Sequence, residues 1–471
     1  MTMPATLPAA AYRRYRIETE AAPDLVPLPP RFRVRVKKHR LLALLLKELL
    51  QFRGNLPVVL SRPCVYGVFS GPLGGLAPRE ALCVGCLRCT VQYPYVVQIM
   101  PNPQRRRLGD SYFQPEDVET LLYEARTGRV PVRGAGYRGR FGGEGWDAMW
   151  TDMSEIVRPT RDGIHGREFI STAVDIGERP PFLRFDPEGR PSGPLPQVVT
   201  VQVPFLFDAP PPRHGDGSTA LLAAILAEAA RQLETLAILP LPLAVEAGIG
   251  GSHVVPLVAP GEWPWLDRLS WPPRVIELDG WDRARYLELR RRFPDAVACV
   301  RLPMDADVLA LADEGARVFH LAANYHGRAG QGFAMDLIRR THLRLVDDGV
   351  REDVTLIGSG GMVMAEHVPK AIICGLDAVA LDTALWVALQ GRLVGECVDR
   401  ETAAVSFPRL QPEWGVQRLK NLAAAWRDQL LEVLGAMGLR DVRRLRGELG
   451  RCMFQPELER EAFAGIEGYG S

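Results

Sequence analysis

From Pro196 onward, short apolar runs alternate with segments whose apolar positions recur every three or four residues. Val198–Phe207, Ala237–Val245, Val275–Leu278, Ala296–Leu302, Ala316–Ala322, Asp353–Ile357 and Asp377–Leu381 read as strands. Thr219–Leu236, Trp281–Arg292, Ala306–Glu314, Phe333–Gly349, Ala365–Cys374 and Ala384–Gly391 read as the helices between them. Continuous apolar strands separated by helices signal a parallel sheet covered on both faces. Seven such units in roughly 200 residues suit a closed α/β barrel, the (β/α)8 TIM barrel, better than an open sheet. The barrel is expected over residues 196–450, ending in helical runs Glu413–Met437 and Arg440–Leu449, with a tail at 451–471.

Upstream the pattern differs. Residues 1–55 are an irregular Pro- and Arg-rich arm ending in a basic amphipathic segment, Arg31–Gly54, read as a packing arm rather than a membrane-surface helix. Residues 56–125 hold a cysteine cluster. Residues 126–195 read as an irregular connecting segment, with six glycines between Gly134 and Gly145.

Charge adds little at the scale of the whole chain. Lys+Arg is 57 against Asp+Glu 56, which gives no global reason to expect nucleic acid or a membrane surface as partner. No stretch approaches the ~20 apolar residues of a transmembrane helix. Met1–Ala10 lacks the basic start of a signal peptide, so the expected compartment is the cytoplasm. No lysine lies between Lys47 and Lys370, which leaves the first part of the barrel without an amine for base or Schiff-base chemistry.

Three of the eight cysteines stand in Cys83-Val-Gly-Cys86-Leu-Arg-Cys89. C-x2-C-x2-C wraps a loop around an iron–sulfur cube, each thiolate reaching a different iron. Tyr93 stands where a fourth, second-cluster cysteine would follow, so one cluster is expected. Cys64 is the candidate fourth ligand of a [4Fe–4S] site; without it the site would hold [3Fe–4S]. Structural zinc is the competing reading, although zinc prefers two paired C-x2-C knuckles. Cys299, Cys374, Cys397 and Cys452 read as small buried apolar residues.

At the seventh-strand position, Ile357-Gly358-Ser359-Gly360-Gly361 ends a strand ahead of a helix, and Leu381-Asp382-Thr383-Ala384 follows the next strand. Glycines there let backbone N–H groups approach an anion. The loops after strands seven and eight are where barrels frequently hold phosphate. A G-x-G-x-x-G fingerprint for NAD(P)H is absent. His320, inside an apolar strand, reads as a satisfied core histidine.

Val354–Leu393, with its Gly-Ser-Gly-Gly turn and Gly375-Leu-Asp-Ala-Val-Ala-Leu-Asp-Thr-Ala-Leu385, resembles the FMN-binding barrel of the glutamate synthase family. The cysteine region ahead of it is similar to that of the short, archaeal-type members. The resemblance implies FMN, with its phosphate on Gly358, Ser359, Gly360, Gly361 and Thr383. It implies Arg301, in Val300-Arg301-Leu302, at the strand end where the family places a lysine near flavin and substrate. An arginine there would bind a carboxylate but could not donate a proton near neutral pH. The cysteine cluster that the family carries after its barrel is missing; only Cys397 remains. No glutaminase domain precedes the barrel and no cysteine stands at position 2, so no glutamine hydrolysis is expected. The resulting expectation is an FMN- and iron–sulfur-dependent oxidoreductase of the glutamate synthase-like class. It would pass electrons from cluster to FMN to a small carbonyl or imine, with an electron-donor or amidotransferase-like partner in an oligomer or complex. Two alternatives are an electron-transfer or assembly subunit with a degenerate barrel, and a cluster scaffold without flavin.

Overall fold

The computed structural model describes residues 15–61, 64–131, 143–152, 169–179, 184–192, 196–211, 213–214 and 219–468. The start of the N-terminal arm and much of the glycine-rich connecting segment lie outside them. The chain divides into two compact units, one of Leu25–Pro115 and one of Met1–Asp24 with Glu116–Ser471.

The larger unit is built on a closed barrel of eight parallel strands: Phe205–Phe207, Ala237–Pro240, Val254–Val258, Val275–Asp279, Val297–Pro303, Val318–Ala322, Thr355–Ser359 and Ala378–Leu381. Thr355–Ser359 and Ala378–Leu381 are the seventh and eighth strands. The third, Val254–Val258, is fully buried and is the one that periodicity passes over. It lies behind the glycine-rich turn 247–251, and the apolar run ahead of that turn reads as a single strand. That run splits because Pro242 stands in the first turn of a helix, Leu241–Glu246, so extended backbone ends at Pro240.

Val198–Phe207 also divides. Val198–Val201 pairs antiparallel with Val174–Gly177, and only Phe205–Phe207 enters the barrel. The expected helix Arg440–Leu449 is instead a short 3-10 turn, Val442–Leu445, opened by Asp441, whose side chain accepts the Arg443 N–H. The long helix Pro412–Ala436 packs on Thr219–Gln232. It buries Trp426, and its buried Arg418 donates to the Ala22 carbonyl and pairs with Asp24.

Strand register sets the chemistry of the mouth. Arg301 stands level with Asp279 on one neighbour and His320 on the other, and Ser359 stands level with Ala322.

In the Leu25–Pro115 unit the basic segment is not one helix. Phe32–Val36 alternates apolar and arginine at period two and forms a strand paired with Val97–Pro101; the helix Lys38–Gln51 follows. Val34, Val68, Cys83, Val96 and Val97 form its buried core.

Candidate functional site

The C-terminal end of the barrel holds a buried ionic network. Arg301 donates through Nε to Glu277 Oε1 at 2.6 Å and through Nη2 to Asp208 Oδ1. The Glu277 oxygen also meets His320 Nδ1 at 2.8 Å, and His320 Nε2 meets Ser359 Oγ at 2.9 Å. His320 thus bridges the carboxylate and the serine hydroxyl, one ring nitrogen facing each.

Arg400 closes the network from outside the strands. Its Nε donates to the Ala323 carbonyl at 2.6 Å, Nη1 to Asp208 Oδ2 at 2.9 Å, and Nη2 to Ser359 Oγ at 3.0 Å and Asp382 Oδ2 at 2.8 Å. Its guanidinium lies 4.8 Å from the centroid of the Tyr325 ring. Two guanidinium groups thus face three carboxylates with little water. Burial by itself would raise the Asp208 carboxyl, but Arg301 and Arg400 hold it well below the usual carboxylate range. Glu277 is lowered in the same way by Arg301 and His320. For Asp382 burial prevails over Arg400, and its carboxyl is raised.

The two loops expected to bind phosphate lie at this end. Thr383 donates its N–H at 2.5 Å and its hydroxyl at 3.0 Å to Asp382 Oδ1. The Val363 N–H donates to His367 Nδ1 at 3.1 Å. Burial and nearby Lys370 push that imidazole well below the usual histidine value, which keeps it a neutral acceptor. Ser359 is fully buried. Gly360 has φ +100°, and a Cβ there would lie 2.5 Å from the Asn324 carbonyl oxygen and 2.8 Å from that of Ala323. At Gly358 a Cβ would lie 2.4 Å from a Leu376 methyl. Gly361 has φ +71°. These glycines are already required by the packing of the turn.

The structure therefore gathers Arg301, Ser359 and Thr383 into one network, and it adds Asp208, Glu277, Asp382, Arg400 and His367, which the motifs do not mark as site residues. Glu277 had a signal, a carboxylate inside the apolar strand Val275–Asp279. Arg400 had none, since it sits in irregular chain far from the glycine turn in sequence.

In the Leu25–Pro115 unit, Cys64, Cys83, Cys86 and Cys89 line one small cavity with Val34, Val68, Phe69 and Ile99. Leu87 adopts φ +59° and Gly85 φ +70°, which bends the loop between the cysteines. Burial raises the Cys83 and Cys89 thiols, with smaller contributions from neighbouring cysteines. No helix among the described residues is long and apolar enough to cross a membrane.

Residues 322–440 match the family described as the conserved region in glutamate synthase. An archaeal-type glutamate synthase (NADPH) of Dehalococcoides mccartyi is 24% identical over 446 residues, covering 78% of this chain and 86% of that protein. An archaeal glutamate synthase (NADPH) of Archaeoglobus fulgidus is 24% identical over 502 residues, covering 88% and 94%. Among solved structures, the recombinant flavin-binding domain of baker's yeast flavocytochrome b2 aligns at TM-score 0.39 and 12% identity, over 65% of this chain and 76% of that one. Over residues 322–440 the chain is similar to the conserved region in glutamate synthase, and over most of its length it is similar to archaeal-type glutamate synthases.

Proposed function

We propose that the chain is an iron–sulfur oxidoreductase component of glutamate-synthase-like redox chemistry, with its cluster on Cys64, Cys83, Cys86 and Cys89. The carrying observation is that these four cysteines, three of them spaced C-x2-C-x2-C, line one cavity. Kinship with proteins named NADPH glutamate synthases supports a flavin-dependent oxidoreductase class.

The fuller reading runs from cluster to FMN to a small carbonyl or imine, with Arg301 holding a substrate carboxylate. At the barrel mouth several polar groups that an FMN phosphate would meet already have partners within the chain. Asp382 fills the Thr383 donors, His367 fills one N–H of the glycine turn, and Arg400 is shared among Asp208, Ser359 and Asp382. A phosphate near two negative charges would meet the buried Asp382 carboxylate at those donors. Arg301 likewise has both faces taken by Glu277 and Asp208. A second reading is an electron-transfer or assembly subunit, in which this network serves only to hold the barrel mouth together; kinship with the NADPH glutamate synthases favours the flavin reading.

Anaerobic purification with iron, sulfide and flavin analysis tests the assignment. About four irons per chain are expected, abolished by Ser at Cys83, Cys86 and Cys89 together and lowered toward three by Cys64→Ser. Zinc in place of iron, or unchanged iron in the triple variant, overturns it. For the barrel, FMN affinity should rise about tenfold in Asp382→Gly, roughly 1.4 kcal/mol, as read by flavin fluorescence quenching. Equal or tighter binding by the unaltered chain restores the flavin reading.

A further inference from the structure

The even charge of the chain conceals a division. Between Leu25 and Pro115 there are 14 lysines and arginines against three acidic residues, while the whole chain has 57 against 56. This unit carries a net +11 and the rest of the chain a net −10. Its three carboxylates serve internal bonds. Tyr93 Oη donates to Glu48 Oε1 at 3.1 Å, the Val34 N–H to Glu80 Oε1 at 2.6 Å, and the Tyr112 and Phe113 N–H groups to Asp110 Oδ1 at 2.9 and 2.8 Å. Arg33, Arg35, Lys38, Lys47 and Arg88 are exposed.

An apolar groove runs through the same unit. Tyr66, Leu73 and Leu76 line it and are exposed by 52%, 63% and 52%, respectively, and Cys64, Cys86 and Cys89 line it too. Arg88, between the last two cysteines, is at its edge. Bare large apolar side chains in a groove edged by Arg88, on a unit of net +11, have the anatomy of a protein interface: the apolar centre supplies affinity and the positive field of the unit supplies encounter rate. A lipid surface would ask for a protruding apolar face, whereas this one is concave and has the cluster cysteines in its lining.

We propose that this groove docks a small acidic electron-carrying protein, which presents an apolar patch rimmed by carboxylates and exchanges one electron with the cluster. The carrier is oxidised by one electron, the cluster is reduced by one, and no bond is made or broken. The electron exchange rests on the cluster assignment above; the docking does not.

The test uses the full chain, purified anaerobically, and a small acidic flavodoxin as probe. Binding is measured by thermophoresis, and cluster reduction by stopped flow after mixing with the pre-reduced probe. We expect micromolar binding at low salt, weakening about tenfold or more between 50 and 300 mM NaCl as the rim charges are screened. Arg88→Glu and Leu73→Asp should each weaken it about fivefold or more while retaining wild-type iron content. A loss of affinity in Arg88→Glu that is absent at high salt separates lost charge from lost fold. Binding to the probe is read whether or not a cluster is present, so iron analysis alone reports failure of the cluster assignment. Three outcomes overturn the docking proposal: no binding at low salt, binding indifferent to both substitutions, or the same substitutions abolishing instead a salt-sensitive self-association in sedimentation or adsorption to phosphatidylglycerol vesicles.

Discussion

The barrel and the Leu25–Pro115 unit handle charge in opposite ways. In the barrel, Arg301, Asp208, Glu277 and Asp382 are buried, and together with the partly buried Arg400 they are bonded to one another. A second such knot ties Asp377 to Arg351 at 2.8 Å, Arg446 at 2.7 Å and Arg179 at 3.2 Å. In the smaller unit most of the described cations face solvent and the few acids are engaged with hydroxyl and amide donors. A buried, mutually satisfied network holds one arrangement and resists a new ligand, because any newcomer must replace bonds that already exist. An unbalanced, exposed surface has nothing to displace and attracts a partner at long range. The difference bears on ligand exchange: a newcomer to the Arg301 network must replace existing bonds, whereas a partner of the cysteine unit need not.

The sharpest way to break this comparison is Arg301→Ala. It strands Asp208 and Glu277, both fully buried, with only Arg400 and His320 left to answer them. Removing one partner of a buried pair typically costs about 3–5 kcal/mol, and urea denaturation should show a loss of that order. A loss below about 1 kcal/mol would mean that water reaches the network, and the closed-mouth reading would fall with it. Arg301→Lys should recover part of the loss, since one ammonium cannot serve both carboxylates in the same geometry.

Acid titration comes next in size. Asp208 and Asp377 have carboxyls held below their ordinary value of 3.8, against the pull of burial, by Arg301 and Arg400 in one case and by Arg351, Arg179 and Arg446 in the other. A depressed folded value means stabilisation that is fully present above the unfolded value and is lost as pH falls below it. These two carboxylates should therefore contribute a stabilisation that is level from pH 7 to about 5 and drops by on the order of 2 kcal/mol per group below pH 4, added to the loss that the buried neutral His367 and His342 begin as pH falls through 6.5. Asp377→Asn should be less stable at pH 7 yet lose less between pH 5 and pH 3, as measured by thermal unfolding. Parallel curves for the variant and the unaltered chain would show that its charge is not what the three arginines hold.

Much of this architecture is legible in the sequence, and the parts that are not have physical causes. The seventh and eighth strands and their glycine turn stand out because buried parallel strands are continuous apolar runs and the turn needs residues without a Cβ. The third strand is hidden because a proline-started helix joins it to the second strand in a nearly unbroken apolar stretch. At Gly360 the positive φ is legible but its reason is not: the backbone carbonyls of Ala323 and Asn324, nearly forty residues away in sequence, occupy the space a side chain would need. The cysteine spacing pointed to one cavity, and Cys64 lies in it although nineteen positions separate it from Cys83. Arg400 could not be foreseen. Pairing across a barrel mouth depends on tertiary closure, and no local pattern marks a loop arginine that will be buried. The charge division is present in the sequence, hidden by counting the chain as a whole.

The smallest expected effect sharpens the comparison most. Lys47 is an exposed cation on the helix Lys38–Gln51, directly ahead of Glu48, whose carboxylate is turned to Tyr93. Reversing its charge removes no packing and strands no buried partner. It also trims the self-repulsion of a unit with net +11. Lys47→Glu should therefore change folding stability by no more than about 0.5 kcal/mol, the usual range for a surface substitution, and the sign should favour the folded state at low salt. Against Arg301→Ala, one cation removed in each region would then differ several-fold or more in its consequence. If Lys47→Glu instead cost as much as the barrel substitution in urea denaturation, its ammonium would have to be paired and desolvated, and the contrast between a closed, self-satisfied mouth and an open, unbalanced cysteine unit would fail at its exposed end.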